Sequence, residues 1–466
     1  MKKNLLICIF IFTVCESASA QNQLLWGLAP TGGQYSSGTL YTINTNGTGF
    51  NALHHFQPPD GFTPQGLLLL ASDGNFYGTC YDGGSFSSCT IFKYNPVANT
   101  YTDVYDFDIV NGDFPRSGLI EAPNGMLYGA AYGGGTGCTG VLYSFDKSNN
   151  QYTKIHTFNT GCGPKDAPLL VNGVLYGMTY TGGANNKGVI YSFDISTSAY
   201  ADVFDFSTAQ GASPEGSLIQ LSNGKLYGMT GEGGANNKGV IFSYEPATDT
   251  YTKLFDFGGA NGENPGGSFM QAGNGLLYAV TMAGGSINVG VVFSFNASNN
   301  TFNKLADFDV TDGAYAACKL VQASNGLLYG TAQFGGVNMK GTIFSFDISN
   351  NTITKIFDYT SASGSDAPAG LITVTTTGIA QLSAAGKTLS VYPNPAKDKI
   401  TVSINVNGGS TAEINLINTL GQKIYSLPET PSPSHQTIDI SKLKAGIYFL
   451  ECIIDRTKTV TKFSKE

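Results

Sequence analysis

Residues 216–257 read GSLIQLSNGKLYGMTGEGGANNKGVIFSYEPATDTYTKLFDF, four short apolar runs separated by three turn signals. Residues 217–221 are the first expected strand, and Asn223-Gly224 is a two-residue hairpin turn, since Asn-Gly supplies the positive φ angles that match strand twist. Residues 226–230 are the second strand, closed by Gly233-Gly234. Residues 240–244 alternate as a third strand, and 251–257 form the fourth. The hairpin signal returns at Asp73-Gly74, Asn124-Gly125, Asn172-Gly173, Asn274-Gly275 and Asn325-Gly326. The aromatic of the Leu-Tyr-Gly core recurs at Trp26, Tyr77, Tyr128, Tyr176, Tyr227, Tyr278 and Tyr329, with gaps of 51, 51, 48, 51, 51 and 51 residues. A period of about 50 residues holding several strands predicts a β-propeller.

Counting the units sharpens this. First strands begin near Gly66, Gly118, Pro168, Gly216, Gly267, Lys319 and Gly370, whereas the first Leu-Tyr-Gly-like run, Leu25-Trp26-Gly27, precedes all of them. The chain thus opens with the last three strands of a blade, over 24–56, and ends its repeats with a lone first strand at 370–374. Pairing the two predicts an all-β fold, a seven-bladed propeller over 21–375 closed by its N- and C-terminal strands. Closure hides two sheet edges that water would otherwise face.

The 466-residue chain holds 60 Gly and only 12% charged residues, with 41% apolar residues. That composition fits many tight turns around an ample core and argues against disorder. Residues 1–20 read as a secretory signal: Lys2 and Lys3 begin it, 5–14 are apolar, and Ala18-Ser19-Ala20 is a small-residue cleavage site. The apolar run is too short to span a bilayer, and bulky Val14 argues against Cys15 as a lipidation site. No other segment is apolar enough to cross a membrane. Losing two Lys and one Glu with the signal takes the net charge from −8 to −9. An acidic, charge-poor chain has no purchase on phosphate backbones, so nucleic acid is excluded as a partner. A monomer is expected.

Export permits disulfides. Cys80 and Cys89 flank one loop and are a candidate bridge, as are Cys138 and Cys162 in loops expected to share a face. Without Cys-x-x-Cys or a His pair at ligand spacing, no metal site and no cofactor are expected. The catalytic search is equally thin: His54, His55, His156 and His435 have no motif partner, and no nucleophile elbow, Walker loop or zincin motif occurs. Asp106, Asp205, Asp256, Asp307 and Asp358, each before an aromatic, read as caps on a neighbouring turn.

The better candidate is a face. In an antiparallel blade the loops joining strands two to three, and four to the next blade, share one rim. There lie Asn185, Asn186 and Lys187, then Asn236, Asn237 and Lys238, then Asn338, Met339 and Lys340. Asp113, Asp166, Glu263 and Asp366 each stand two residues before a Pro and could ring the channel mouth, with Tyr315 and Phe114 nearby. Polar forks beside aromatic platforms suit a non-catalytic module binding glycan or a surface protein. The alternatives are a polysaccharide-acting enzyme, which would need two of the carboxylates about 5–10 Å apart, and a structural surface scaffold.

The pattern Leu-Tyr-Gly, Gly-Gly, then Gly-x-Ile/Val-Phe, as in residues 226–242, resembles the Gloeo/Verruco (GloVer) tandem repeat of exported bacterial proteins over about 24–374. The resemblance implies a surface or secreted repeat protein. Kelch repeats share the length and a Gly-Gly pair, but in a different order relative to Tyr and Trp.

Residues 376–388 form a small-polar linker, after which Lys rises and the repeat vanishes. Alternating runs at 399–406, 412–418, 423–425, 436–439 and 447–454 suggest a small β-sandwich. Residues 389–466 resemble the type A sorting domain of the type IX secretion system. The resemblance rests on Val391-Tyr392-Pro393-Asn394-Pro395, Leu420-Gly421-Gln422, Leu443-Lys444-Ala445-Gly446-Ile447-Tyr448 and Thr461-Lys462-Phe463. It implies handling by that machinery, passage through the periplasm and outer membrane, then surface attachment or release.

Overall fold

Alternating residues make each apolar run a strand with one face for each neighbour, and Asn-Gly and Gly-Gly turns fold successive strands back on one another. The structure, a computed structural model, describes residues 23–86, 88–135, 139–158, 163–367, 370–374, 387–392, 396–406, 411–418, 423–431, 434–444, 446–454 and 457–465. The expected signal and most of the expected linker lie outside these. Two compact units result, divided between residues 373 and 374.

The first unit contains seven four-stranded sheets. Blade 5 runs Ile219–Gln220, Leu226–Thr230, Val240–Glu245 and Thr250–Asp256, each pairing antiparallel with the next. Blades 2, 3, 4, 6 and 7 repeat this, starting at Phe62–Leu70, Ile120–Glu121, Leu169–Val171, Met270–Gln271 and Val321–Gln322. Blade 1 is composite: Leu371–Val374 lies beside Leu24–Ala29, followed by Thr39–Asn44 and Asn51–His55. Blade 5's first strand is shorter than the expected 217–221. Ser217 turns its N–H away from its own hairpin, to Asp166 Oδ2 at 3.0 Å and Ser268 Oγ at 2.8 Å in other blades.

The repeated residues hold each blade together and join it to the next. The hairpin Asn donates to the core tyrosine's hydroxyl, as in Asn223 to Tyr227 at 2.9 Å and Asn325 to Tyr329 at 2.8 Å. Gly228 follows that tyrosine because the Phe242 ring lies 2.6 Å from where a Cβ would sit. Between blades, a fourth-strand ring stacks nearly parallel on one from the next blade. The pairs are His54–Tyr101, Tyr105–Tyr152, His156–Tyr200, Phe204–Tyr251, Phe255–Phe302 and Phe357–Phe50. These cover six of seven junctions with centroids 3.7 to 4.8 Å apart; Ala306 and Ile353 hold no ring pair at the other. The junction of blades 7 and 1 adds a hydroxyl pair, Tyr41 with Tyr359, and Thr39 Oγ1 donating to Ser363 at 2.8 Å. Trp26 stacks on Phe76 at 4.2 Å to join blades 1 and 2. Each blade therefore touches two others, and the ring is closed.

The second unit has a three-stranded sheet of Lys387–Tyr392, Lys399–Val406 and Ser434–Asp439. Its four-stranded sheet orders Lys423–Pro431, Thr411–Asn418, Gly446–Ile454 and Thr457–Lys465. Both contribute to one core that includes Ile400, Val402, Ile414, Leu416, Ile438 and Leu450, a two-layer sandwich. Its first strand begins inside the expected linker.

Candidate functional site

In five blades the Gly-Gly loop of the rim is built around an Asp at the end of the fourth strand. Asp256 Oδ1 accepts the Ala235 N–H at 2.7 Å, and Asp106, Asp205, Asp307 and Asp358 bond Ser85, Ala184, Ser286 and Val337 alike. These carboxylates are caps, as their spacing implied. The expected binding asparagines are engaged in the same way. Asn185, Asn236 and Asn338 donate Nδ2 to the carbonyls of Phe206, Phe257 and Tyr359 at 2.9 to 3.0 Å. Asn186 and Asn237 take positive φ and accept Gly182 and Gly233 N–H groups. Lys187 and Lys340 stand half-exposed on these loops, and Lys238 pairs with Glu263.

The four acids do not occupy one ring. Asp113 and Glu263 sit at the bridge position, opposite Gly133 and Ala283, while in blade 1 that place is Ser365, opposite Thr31. Asp366 is one residue further on, at a positive-φ position shared with Phe114, Ser213, Asn264 and Tyr315, and its Oδ2 accepts Thr31 Oγ1 at 3.0 Å. Asp166 lies deeper, at the start of an innermost strand, where Oδ2 accepts Ser268 Oγ at 2.8 Å as well as Ser217 N–H. It ties three blades together near the axis. The Asp113 carboxyl is raised by burial, offset in part by the Phe114 N–H, and raised again by Asp82.

What the mouth does gather is aromatic and cationic. The residue leaving each second strand is Pro30, Tyr81, Tyr132, Tyr180, Gly231, Met282 or Gln333, and the residue opening the first strands of blades 2 to 6 is Gln65, Arg116, Lys165, Glu215 or Gly266. Arg116 Cζ lies 5.0 Å from the Tyr81 ring centre and 5.3 Å from that of Tyr132, and Nη2 donates to Tyr81 Oη at 3.3 Å. Phe114 backs Tyr81 at 4.7 Å. Lys165 Nζ sits 3.4 Å over the Tyr180 ring and 2.6 Å from Glu215 Oε1. Burial, then Glu215 and Glu232, push the Tyr180 hydroxyl upward. Sequence reasoning missed this half-ring because it followed what the blades share. The signal lay in what they do not share: three tyrosines in one slot, beside one of only two arginines in the chain.

Exposed apolar groups mark the same rim. Of twelve large apolar residues exposed among the described residues of the propeller, ten lie on the loops of this rim: Tyr35, Phe86, Ile109, Val110, Ile287, Val310, Tyr315, Phe334, Val337 and Met339; Leu70 and Val97 lie toward the opposite face. Tyr315 meets Phe334 edge-on at 5.7 Å.

The expected Cys80–Cys89 bridge is absent, and both thiols are free and buried. Cys80 pairs across the strands with Thr90, so Cys89, one residue along, points to the other face of the sheet. Cys138 and Cys162 lie outside the described residues. His54 and His156 serve as belt rings, and burial lowers both imidazoles. Among the described residues no cluster of His, Cys, Asp or Glu is arranged for a metal, and no helix is long and apolar enough to cross a membrane.

A closed ring of β-sheets and a small C-terminal sandwich define a repeat protein with an accessory domain. Residues 14–171 and 163–389 match the Gloeobacter/Verrucomicrobia repeat, and the chain belongs to that family. Residues 390–466 match a secretion system C-terminal sorting domain, so the protein is delivered by type IX secretion to the medium or the outer-membrane surface. No curated protein matches. Similar solved structures include a 6-phosphogluconolactonase candidate from Bacteroides fragilis NCTC 9343 (15% identity, 77% of this chain and 99% of that one, TM-score 0.49). A puromycin-hydrolyzing peptidase of Mycobacterium tuberculosis follows (9%, 83% and 58%, 0.49). So does the extracellular domain of a one component system candidate from B. thetaiotaomicron (12%, 95% and 69%, 0.46).

Proposed function

We propose that the exported propeller is a non-catalytic binding module that takes a saccharide at its mouth. The half-ring of Tyr81, Tyr132 and Tyr180 carries this reading: the rings are half-exposed beside Arg116 and the Lys165–Glu215 pair. Flat aromatic faces cover the apolar side of a sugar ring while adjacent charged groups hydrogen-bond its hydroxyls. The enzyme reading is less well supported, because Asp113, Asp166, Glu263 and Asp366 occupy three different repeat positions. A glycan array probed with the mature chain tests the proposal, with Tyr132→Ala and Tyr180→Ala expected to abolish the hits. Blank arrays would remove saccharide binding. Turnover of a polysaccharide that Asp113→Asn abolishes would replace the module with an enzyme.

A further inference from the structure

Resting on that reading of the mouth, we infer that the saccharide bears a carboxylate, as a uronic acid does, and that Arg116 receives it. The propeller uses lysine for every other cation, and Arg116 is its only arginine. It sits in the first-strand slot that holds Gln65, Lys165, Glu215 and Gly266 in blades 2, 4, 5 and 6, so the repeat does not require it. Its flanks are occupied, with Tyr81 at 5.0 Å and Tyr132 at 5.3 Å from Cζ.

A guanidinium held between two rings presents its donors only along its edge. That edge fits a planar two-oxygen acceptor better than a single hydroxyl. Among the described residues Arg116 has no carboxylate partner. Its one hydrogen bond is the 3.3 Å contact to Tyr81 Oη, and its Nε is buried without a partner. Lys165 contrasts with it, since Glu215 already neutralises that ammonium at 2.6 Å.

The surroundings also set the ligand's charge. Glu232 and Glu215 both act on Tyr180, close to Arg116. Among the described residues the mouth thus holds a guanidinium without a carboxylate partner set among acids, a setting that suits one carboxylate and repels a heavily sulfated chain. With the carboxylate on Arg116, Tyr132 and Tyr180, 6.4 Å apart and tilted by 52°, are placed to pack against the pyranose rings.

The test is calorimetric titration of the mature chain with a uronic-acid trisaccharide, its methyl ester, the neutral hexose trisaccharide of the same linkage and a sulfated analogue. The acid is expected to bind about ten- to a hundred-fold tighter than the ester or the neutral sugar, the span expected of hydrogen bonds to a charged partner. Arg116→Gln should erase that preference, leaving the acid binding no tighter than the ester or the neutral sugar. Arg116→Lys, which keeps the charge without the fork, should lose about ten-fold. Should Arg116→Gln melt early, phenylglyoxal labelling of the unmutated protein replaces it. The acid, and not the ester, must then protect Arg116 as read by mass spectrometry. Equal binding of acid and neutral sugar would overturn the carboxylate assignment and leave the saccharide mouth standing. A preference for the sulfated analogue would overturn the assignment too, and no binding of any sugar would remove the saccharide reading with it.

Discussion

Replacing Phe50 by alanine removes the ring that joins the last blade to the first. Phe50 is half-buried, stacks on Phe357 of blade 7 at 4.8 Å and 3°, and lies 5.1 Å from Tyr41. Truncating a buried Phe costs about 3–5 kcal/mol. Half-exposure removes roughly half of that, and losing the stacks restores about 0.5–1.5 kcal/mol, which gives about 2–4 kcal/mol. Phe302→Ala is the control away from the closure, with Phe255 at 4.1 Å and Phe293 at 5.1 Å, and should cost the same. Trp26, the chain's only tryptophan, lies in the strand beside the closing strand, so its fluorescence in urea reports closure directly. Hydrogen exchange over residues 226–245 reports a distant blade. Both transitions should coincide in the unmutated protein and shift together in each variant. A loss below about 0.5 kcal/mol for Phe50→Ala, against the cost of truncating a packed ring, would refute the reasoning. So would a Trp26 transition that runs ahead of blade 5 without any mutation.

Asp256→Ala removes the cap on the Ala235 N–H and the contact with Lys253. It should cost about 1–2 kcal/mol by thermal denaturation, whereas Asp256→Asn keeps an acceptor and should cost about 0.5 kcal/mol or less, since exposed ion pairs contribute little. Burial, then Asp106, pushes the Asp103 carboxyl up to about 7. The native state thus keeps a proton that the unfolded chain releases near pH 4, so stability falls as pH rises from about 4 to 7. Asp103→Asn should flatten that fall in denaturation curves across pH. His156 behaves oppositely, because burial lowers it below 6.5. The unfolded chain takes up its proton first, stability drops as pH falls below 6.5, and His156→Phe should remove its share of the drop, leaving that of His54. Alkylation of the denatured, unreduced protein should label both Cys80 and Cys89, and a mass showing them joined would contradict the strand register.

The strands were legible because they obey a local rule. Residues 226–230 coincide with the observed strand, as do 399–406 in the sandwich. Blade 5's first strand was overestimated because Ser217 bonds to other blades, and no local pattern shows that. The acids were misplaced for a related reason. Blade 4 follows the one short gap of 48 residues, so Pro168 stands where blade 3 has Leu119, and counting back from it put Asp166 in the wrong register. The Cys80–Cys89 pair failed on parity alone, one residue of offset being enough to separate two side chains by a sheet. Arg116 went unseen because a repeat template averages away the position that differs.

The hairpin, the Gly-Gly loop and the aromatic belt are all made by other residues, so the side chain leaving each second strand is not among the groups that shape its blade. These places around a single opening resemble the pins of a lock cylinder, each free to be recut while the barrel stays intact. Under the proposed binding at the mouth, new ligand preferences are then reachable one codon at a time, and a duplicated copy of the gene could change its key without refolding its barrel.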